Sequence, residues 1–200
     1  MNYLAIDTSG AHLTVLACNN NKITVKHIED CHLNHSVVLM NAIEDTLIDA
    51  DLQMKDTDFL CACVGAGSFT GIRIGVATIK ALSFSYNKKT LSVTAFDTLA
   101  YNIENGRVLA VIDARHEHFY VCGYENKKII LKPEFVDKNR LEELAKEFTI
   151  VSQKLESINF VKGDIVKGLI ESIKDKSINL TDRENLIPLY IRKSQAEENR

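Results

Sequence analysis

The chain has 200 residues, 46% of them hydrophobic and 26% charged, with a formal net charge of −3. That is the composition of a globular protein long enough for one large domain or two small lobes, each with a buried core. It excludes an autonomous nucleic-acid clamp: 24 Lys and Arg face 27 Asp and Glu, and no basic stripe stands ready to neutralise phosphates.

In chain order, Tyr3–Ile6 reads as a strand that Leu13–Cys18 pairs back on, and Ile23–Ile28 as a third. Asn19-Asn20-Asn21 between the last two is turn chemistry, because asparagine tolerates left-handed conformations. The N-terminus enters its strand without a basic leader and no apolar run approaches a membrane span, so the chain is expected to be cytoplasmic. Residues 34–50 read as a helix with Leu39, Met40, Ile43, Leu47 and Ala50 on one face. At its start, His32 and His35 stand at i, i+3 across a loop-to-helix boundary. Asn34 or Ser36 fits there as an N-cap better than the histidines fit a zinc pair, which prefers i, i+4. The acids Glu44, Asp45, Asp49, Asp51, Asp56 and Asp58 then read as a solvated helix end and loop.

Phe59–Val64 is an apolar strand with Cys61 and Cys63 on one face. A C-x-C metal pair lacks a second pair at ligand spacing, so Cys18, Cys31, Cys61, Cys63 and Cys122 are expected as reduced core thiols. Gly65-Ala66-Gly67-Ser68-Phe69-Thr70-Gly71-Ile72-Arg73-Ile74-Gly75 follows, leading into a helix over Ile72–Tyr86. Strand, glycine loop and helix start can hold an anion or let another backbone approach closely. The loop is not a Walker A sequence, since Gly71-Ile72-Arg73 lacks the Lys, nor a dinucleotide fingerprint, since Thr70 stands at the third glycine position. The helix is apolar on two sides: Ile72, Gly75, Val76 and Ile79 on one, Ile74, Ala77, Ala81 and Phe84 on the other. A helix of that kind is covered on both, one side by the sheet and the other by the 34–50 helix and a second protein chain.

Thr90–Val93 reads as a strand and Phe96–Ile103 as a helix. The pattern then restarts: at an offset of 106, residues 3–23 and 109–129 agree at 7 of 21 positions, among them Ile6/Ile112 and Asp7/Asp113. A weak internal duplication is one reading and a generic β-meander the other. Helices follow over about Lys138–Phe148 and Asp164–Lys174. The expected division is 1–104, 105–192 and a flexible tail 193–200.

Several of these segments carry a resemblance. Leu4-Ala5-Ile6-Asp7-Thr8-Ser9, His35-Ser36, Gly65 to Gly75, Asp113-Ala114-Arg115 and the closing Pro188, Tyr190, Ile191, Arg192 and Ala196 resemble the motifs of the TsaB (YeaZ) family. The most specific is the family's GPGSFTGLRIG signature, with Ala66 here in place of Pro. The family is a paralogue of TsaD/Kae1 within the actin-like, sugar-kinase and Hsp70 superfamily. The resemblance implies an α/β, actin-like (ASKHA, RNase H-like) two-lobed fold, with mixed sheets flanked by helices and a reduced second lobe.

It further implies a non-catalytic scaffolding and activating subunit for transfer of a threonylcarbamoyl group to N6 of the adenosine beside the tRNA anticodon. A TsaD-like subunit would carry the metal and active site, and a TsaE-like subunit would be the ATPase. Docking on TsaD, or homodimerisation, would use the first two helices: His35, Ser36, Leu39, Met40, Ile43, Leu47, Ile72, Gly75, Val76 and Ile79. tRNA would be met only through the complex, with no membrane, no metal ligand and no catalytic residue on this chain. ATP or ADP with Mg²⁺ would lie at the complex interface, with Asp7, Thr8, Ser9, Gly65, Gly67, Ser68, Thr70 and Asp113 nearest the phosphates. The alternative is an actin-like ATPase or kinase with Mg-ATP between its lobes. That reading wants an adenine loop and a catalytic Asp in the second half, where only Gly163 and Gly168 are candidates for the loop. A protease reading lacks a nucleophile–base arrangement.

Overall fold

The computed structural model describes residues 1–31, 33–156 and 158–192. Strands β1 (Tyr3–Asp7), β2 (Leu13–Asn19) and β3 (Lys22–Ile28) form an antiparallel meander, followed by α1 (His35–Asp49), β4 (Phe59–Cys63), α2 (Phe69–Tyr86) and β5 (Lys89–Val93). Asn20 and Asn21 both take positive φ in the β2–β3 turn, as the Asn tract requires. β4 and β5 add in parallel, giving the order β3-β2-β1-β4-β5. Strand alternation turns Leu4, Ile6, Leu13, Val15, Leu60 and Ala62 to one face, where Leu39, Ala42 and Ile43 of α1 and Ile72, Val76 and Ile79 of α2 pack on them. α2 starts at Phe69, ahead of the expected Ile72, because the Ser68 side chain caps it by accepting the Gly71 N–H.

The second half runs α3 (Ala95–Ala100), β6 (Arg107–Asp113), β7 (His118–Glu125), β8 (Lys128–Asp137), α4 (Lys138–Leu144), β9 (Thr149–Ser152), β10 (Val161–Lys162) and α5 (Ile165–Lys176). Its sheet order, β10-β9-β6-β7-β8, is the first sheet's order again. The actin-like expectation is therefore met in both halves, and the repeat is structural. It is not perfect: the offset that maps Ile6–Val15 onto Ile112–Val121 misses by one residue, since Ile112 pairs with Tyr120. The reduction of the second half lies in the length of β10 and α4, not in the strand count. Leu109, Val111, Phe119, Val121, Val136, Leu141, Leu144 and Ile150 form its core.

The chain divides into Met1–Val93 with Ile173–Leu189, and Thr94–Ser172 with the residues from Tyr190. The boundary thus falls before α3, not at residue 104, and residues 173–189 rejoin the first unit. Thr90 and Thr181 exchange two backbone hydrogen bonds of 2.8 Å, Leu189 N–H donates to Val64 O at 2.8 Å, and Leu186 enters the first core. The expected tail at 193–200 lies outside the described residues.

α3 is tied to the second unit by packing on β6 and by a buried polar knot. Asp97 is fully buried; its Oδ2 accepts from the Thr94 N–H and hydroxyl, both at 2.8 Å, and its Oδ1 from the Tyr124 hydroxyl at 2.9 Å. Burial, and secondarily the Asp97 charge, push the Tyr124 phenol above its ordinary value of 10.0. Tyr124→Phe withdraws a donor from a buried carboxylate and is expected to cost about 1.5–3 kcal/mol in urea unfolding at neutral pH. Below 10.0 the phenol is neutral in folded and unfolded chains alike; above it the unfolded chain ionises first. Wild-type stability should therefore fall as pH climbs past that value, and the Phe variant should lose this part of the slope. Equal slopes would mean that the phenol is not held neutral by this knot.

Candidate functional site

Two groups of motif residues meet at the end of β1. Asp7 is buried, and its Oδ1 accepts from the Ser9 N–H at 2.8 Å and the Ser9 hydroxyl at 2.6 Å. The Cys63 thiol donates to Ser9 Oγ at 3.4 Å. The glycine loop closes over this turn: Ser68 N–H donates to Ser9 O at 2.7 Å, and the Thr8 hydroxyl to Gly71 O at 2.7 Å. A Cβ on Gly67 would lie under 3.0 Å from Ser9 O, one on Gly71 under 3.0 Å from Thr8 O, and one on Gly75 at 2.5 Å from Thr8 Oγ1. These three glycines let the start of α2 lie directly on the β1 turn.

The same geometry tests the fit of a nucleotide phosphate. Two donors that would cradle it, the N–H groups of Ser68 and Gly71, are taken by Ser9 O and Ser68 Oγ. The space beside Gly67 and Gly71 is filled by Thr8 and Ser9 backbone. Asp7, Thr8, Ser9, Ser68 and Gly71 are tied together by these hydrogen bonds; Gly65 and Ala66 are buried, Gly67 is half-buried, and Ser68 and Thr70 are exposed. On the side that faces the β1 turn, these donors and this space are therefore taken up by the protein itself. Burial, then the neighbouring Asp7 carboxylate, push the Cys63 thiol well above its ordinary value, which disfavours its thiolate form.

In the second unit Asp113 is exposed, and its Oδ1 accepts the Arg115 N–H at 2.8 Å. With Arg115, Lys138 and Lys154 it lines a recess of about 350 Å³. From the closing motif, the Arg192 guanidinium lies over the Phe135 ring at 4.5 Å; Ala196 lies outside the described residues. So does His32, while His35 is buried with Nε2 on His12 O at 3.2 Å. Among the described residues no group of three or more His, Cys, Asp and Glu is placed to hold a metal ion. All five cysteines are buried free thiols.

The expected partner surface needs correction. His35, Leu39, Ile43, Ile72, Gly75, Val76 and Ile79 are buried, and Leu47 packs partly buried against the same core. Their period marks the sheet-facing sides of α1 and α2. Of the expected residues only Ser36 and Met40 are exposed. The outward sides are made instead by Val37 (72% exposed), Met40 (54%) and Ile48 (69%) along α1, with Leu33 (82%) in the turn before it, and by Ala77, Ala81 and Phe84 (71%) on α2. Large apolar side chains so exposed, in one helix stripe, are what a monomer rarely leaves to water. The signal that finds them in a sequence is the second apolar stripe left over once the core stripe is assigned.

The architecture is that of a two-unit α/β protein with a repeated five-stranded sheet. Residues 27–157 match the family model described as TsaD: tRNA N6-adenosine threonylcarbamoyltransferase. The tRNA threonylcarbamoyladenosine biosynthesis protein TsaB of Bacillus subtilis is 30% identical, over 86% of this chain and 76% of its own length. The Escherichia coli protein of the same name is 28% identical over 94% and 85%. The solved YeaZ structure from Pseudomonas aeruginosa superposes with a TM-score of 0.77 at 19% identity, covering 94% of this chain and 99% of that one. The chain belongs to the TsaB (YeaZ) family. No helix among the described residues is long and apolar enough to cross a membrane.

Proposed function

We propose that this chain works in tRNA threonylcarbamoyladenosine biosynthesis as a non-catalytic docking and activating subunit. It pairs with a TsaD-type transferase through the outward sides of α1 and α2, and the assembly also takes in a TsaE-type ATPase. Alone, the chain covers the same face with a second copy of itself. The observation that carries this reading is the pairing of an exposed apolar helix face with a motif cluster that is closed on itself. A kinase needs the reverse, an open phosphate site behind a polar surface. The family's names supply the pathway.

In this account the chain contributes surface and no reacting group. The glycine signature fixes the start of α2 to the β1 turn, and so sets the attitude of one of the two docking helices. ATP or ADP with Mg²⁺, where the assembly uses it, is held by residues of the partners. The test is reconstitution of threonylcarbamoyl transfer to tRNA with the TsaD- and TsaE-type proteins of the same organism, with and without this chain. Transfer should require the chain, while the isolated chain turns over no Mg-ATP. Full transfer without it, or ATP hydrolysis by the chain alone, would overturn the proposal.

A further inference from the structure

Val37, Met40, Glu44 and Ile48 recur at steps of three and four residues, and therefore share the outward stripe of α1, with Leu33 in the turn just ahead of the helix. Four of the five are apolar and more than half exposed. Glu44 is the charged exception, set between Met40 and Ile48, with exposed Asn41 as an uncharged polar neighbour on the same side. Its neighbour Asp45 is held by Lys26 Nζ, but among the described residues the Glu44 carboxylate enters no hydrogen bond or ion pair. A solvated helix needs no such partner. A docked one does, because a carboxylate taken from water without a counter-charge is costly.

We infer that Glu44 selects the occupant of this face: a heterologous helical surface that sets a Lys or Arg against it within a mainly apolar contact. The inference rests on the docking reading proposed above. A second copy of this chain is the poorer occupant, because it brings another Glu44 into the same contact. The cations it offers on α2 are Arg73, already stacked over the Phe69 ring at 4.9 Å, and half-buried Lys80. A different partner is free to place its cation where Glu44 requires it. The apolar ends of the stripe give affinity, and the central charge gives choice of partner.

The experiment measures binding of the TsaD-type partner, and self-association, for wild type, Glu44→Gln, Glu44→Lys and Val37→Glu, at about 0.05 M and about 0.5 M NaCl. Glu44 is exposed, so the variants should keep the wild-type circular dichroism and melting curve. Glu44→Gln should weaken partner binding about tenfold and Glu44→Lys about a hundredfold at the lower salt, with both gaps narrowing at the higher. Self-association of Glu44→Gln should be at least as tight as wild type. If both Glu44 variants bind the partner normally while Val37→Glu does not, the inference falls and the docking reading stands. If Glu44→Gln weakens self-association as much as partner binding, the second copy supplies the cation and the inference also falls. If Val37→Glu binds like wild type, the docking reading fails and takes the inference with it.

Discussion

Gly71→Ala is expected to lower the melting temperature by roughly 10 °C, from a destabilisation of about 3–4 kcal/mol. The added Cβ would lie under 3.0 Å from the Thr8 carbonyl oxygen, and that oxygen is main chain in a buried turn, so no side chain can swing aside to make room. Relief requires α2 to lift from β1. The lift would also strain the Thr8 hydroxyl bond to Gly71 O and the Ser68 N–H bond to Ser9 O. Gly10→Ala is the matched control, because a Cβ there meets nothing within 4 Å and should change stability by about 0.5 kcal/mol at most. Differential scanning calorimetry of the two variants separates the cases. Equal melting temperatures would mean that the interlock between the β1 turn and the α2 start is not what the signature glycines maintain. The effect reaches function because Ala77, Ala81 and Phe84 ride on the helix that the interlock orients.

Most of the fold was legible because it is written in strong local signals. The Asn tract between β2 and β3, the strand at Phe59 and the long apolar helix after the glycine loop each carry their own turn, strand or helix chemistry. The duplicated sheet order was foreshadowed by the recurrence of Ile6-Asp7 at Ile112-Asp113. β9 and β10 were not anticipated, since four and two residues are too short to show a period. The unit boundary was misplaced for a similar reason. α3 is tied to the second unit by packing on β6 and by bonds such as Asp97–Tyr124, a contact across 27 positions of sequence that no local pattern announces. Gly67 and Gly71 read equally well as an anion cradle or a close approach until the positions of Thr8 and Ser9 were known. On α2, apolar residues on two sides told that both would be covered, but the residues of α1 and α2 assigned to the partner were mostly the ones the sheet covers.

That correction changes which substitution reports on docking. Ile72→Glu or Val76→Glu would place a charge in the core of the first unit, where both residues are buried, and would unfold the chain whatever its partner. Val37→Glu puts the same charge on a side chain that is 72% exposed; folding should be unaffected and the contact broken. Removing an apolar anchor near the centre of an interface and leaving a carboxylate there costs about 3 kcal/mol or more, which is a loss of over about a hundredfold in affinity. The most direct measurement is calorimetric titration of the TsaD-type partner with wild type, Val37→Glu and a substitution outside the stripe such as Lys162→Glu. The account predicts tight binding by wild type and Lys162→Glu and no detectable heat from a fully folded Val37→Glu. Wild-type affinity in Val37→Glu would contradict it.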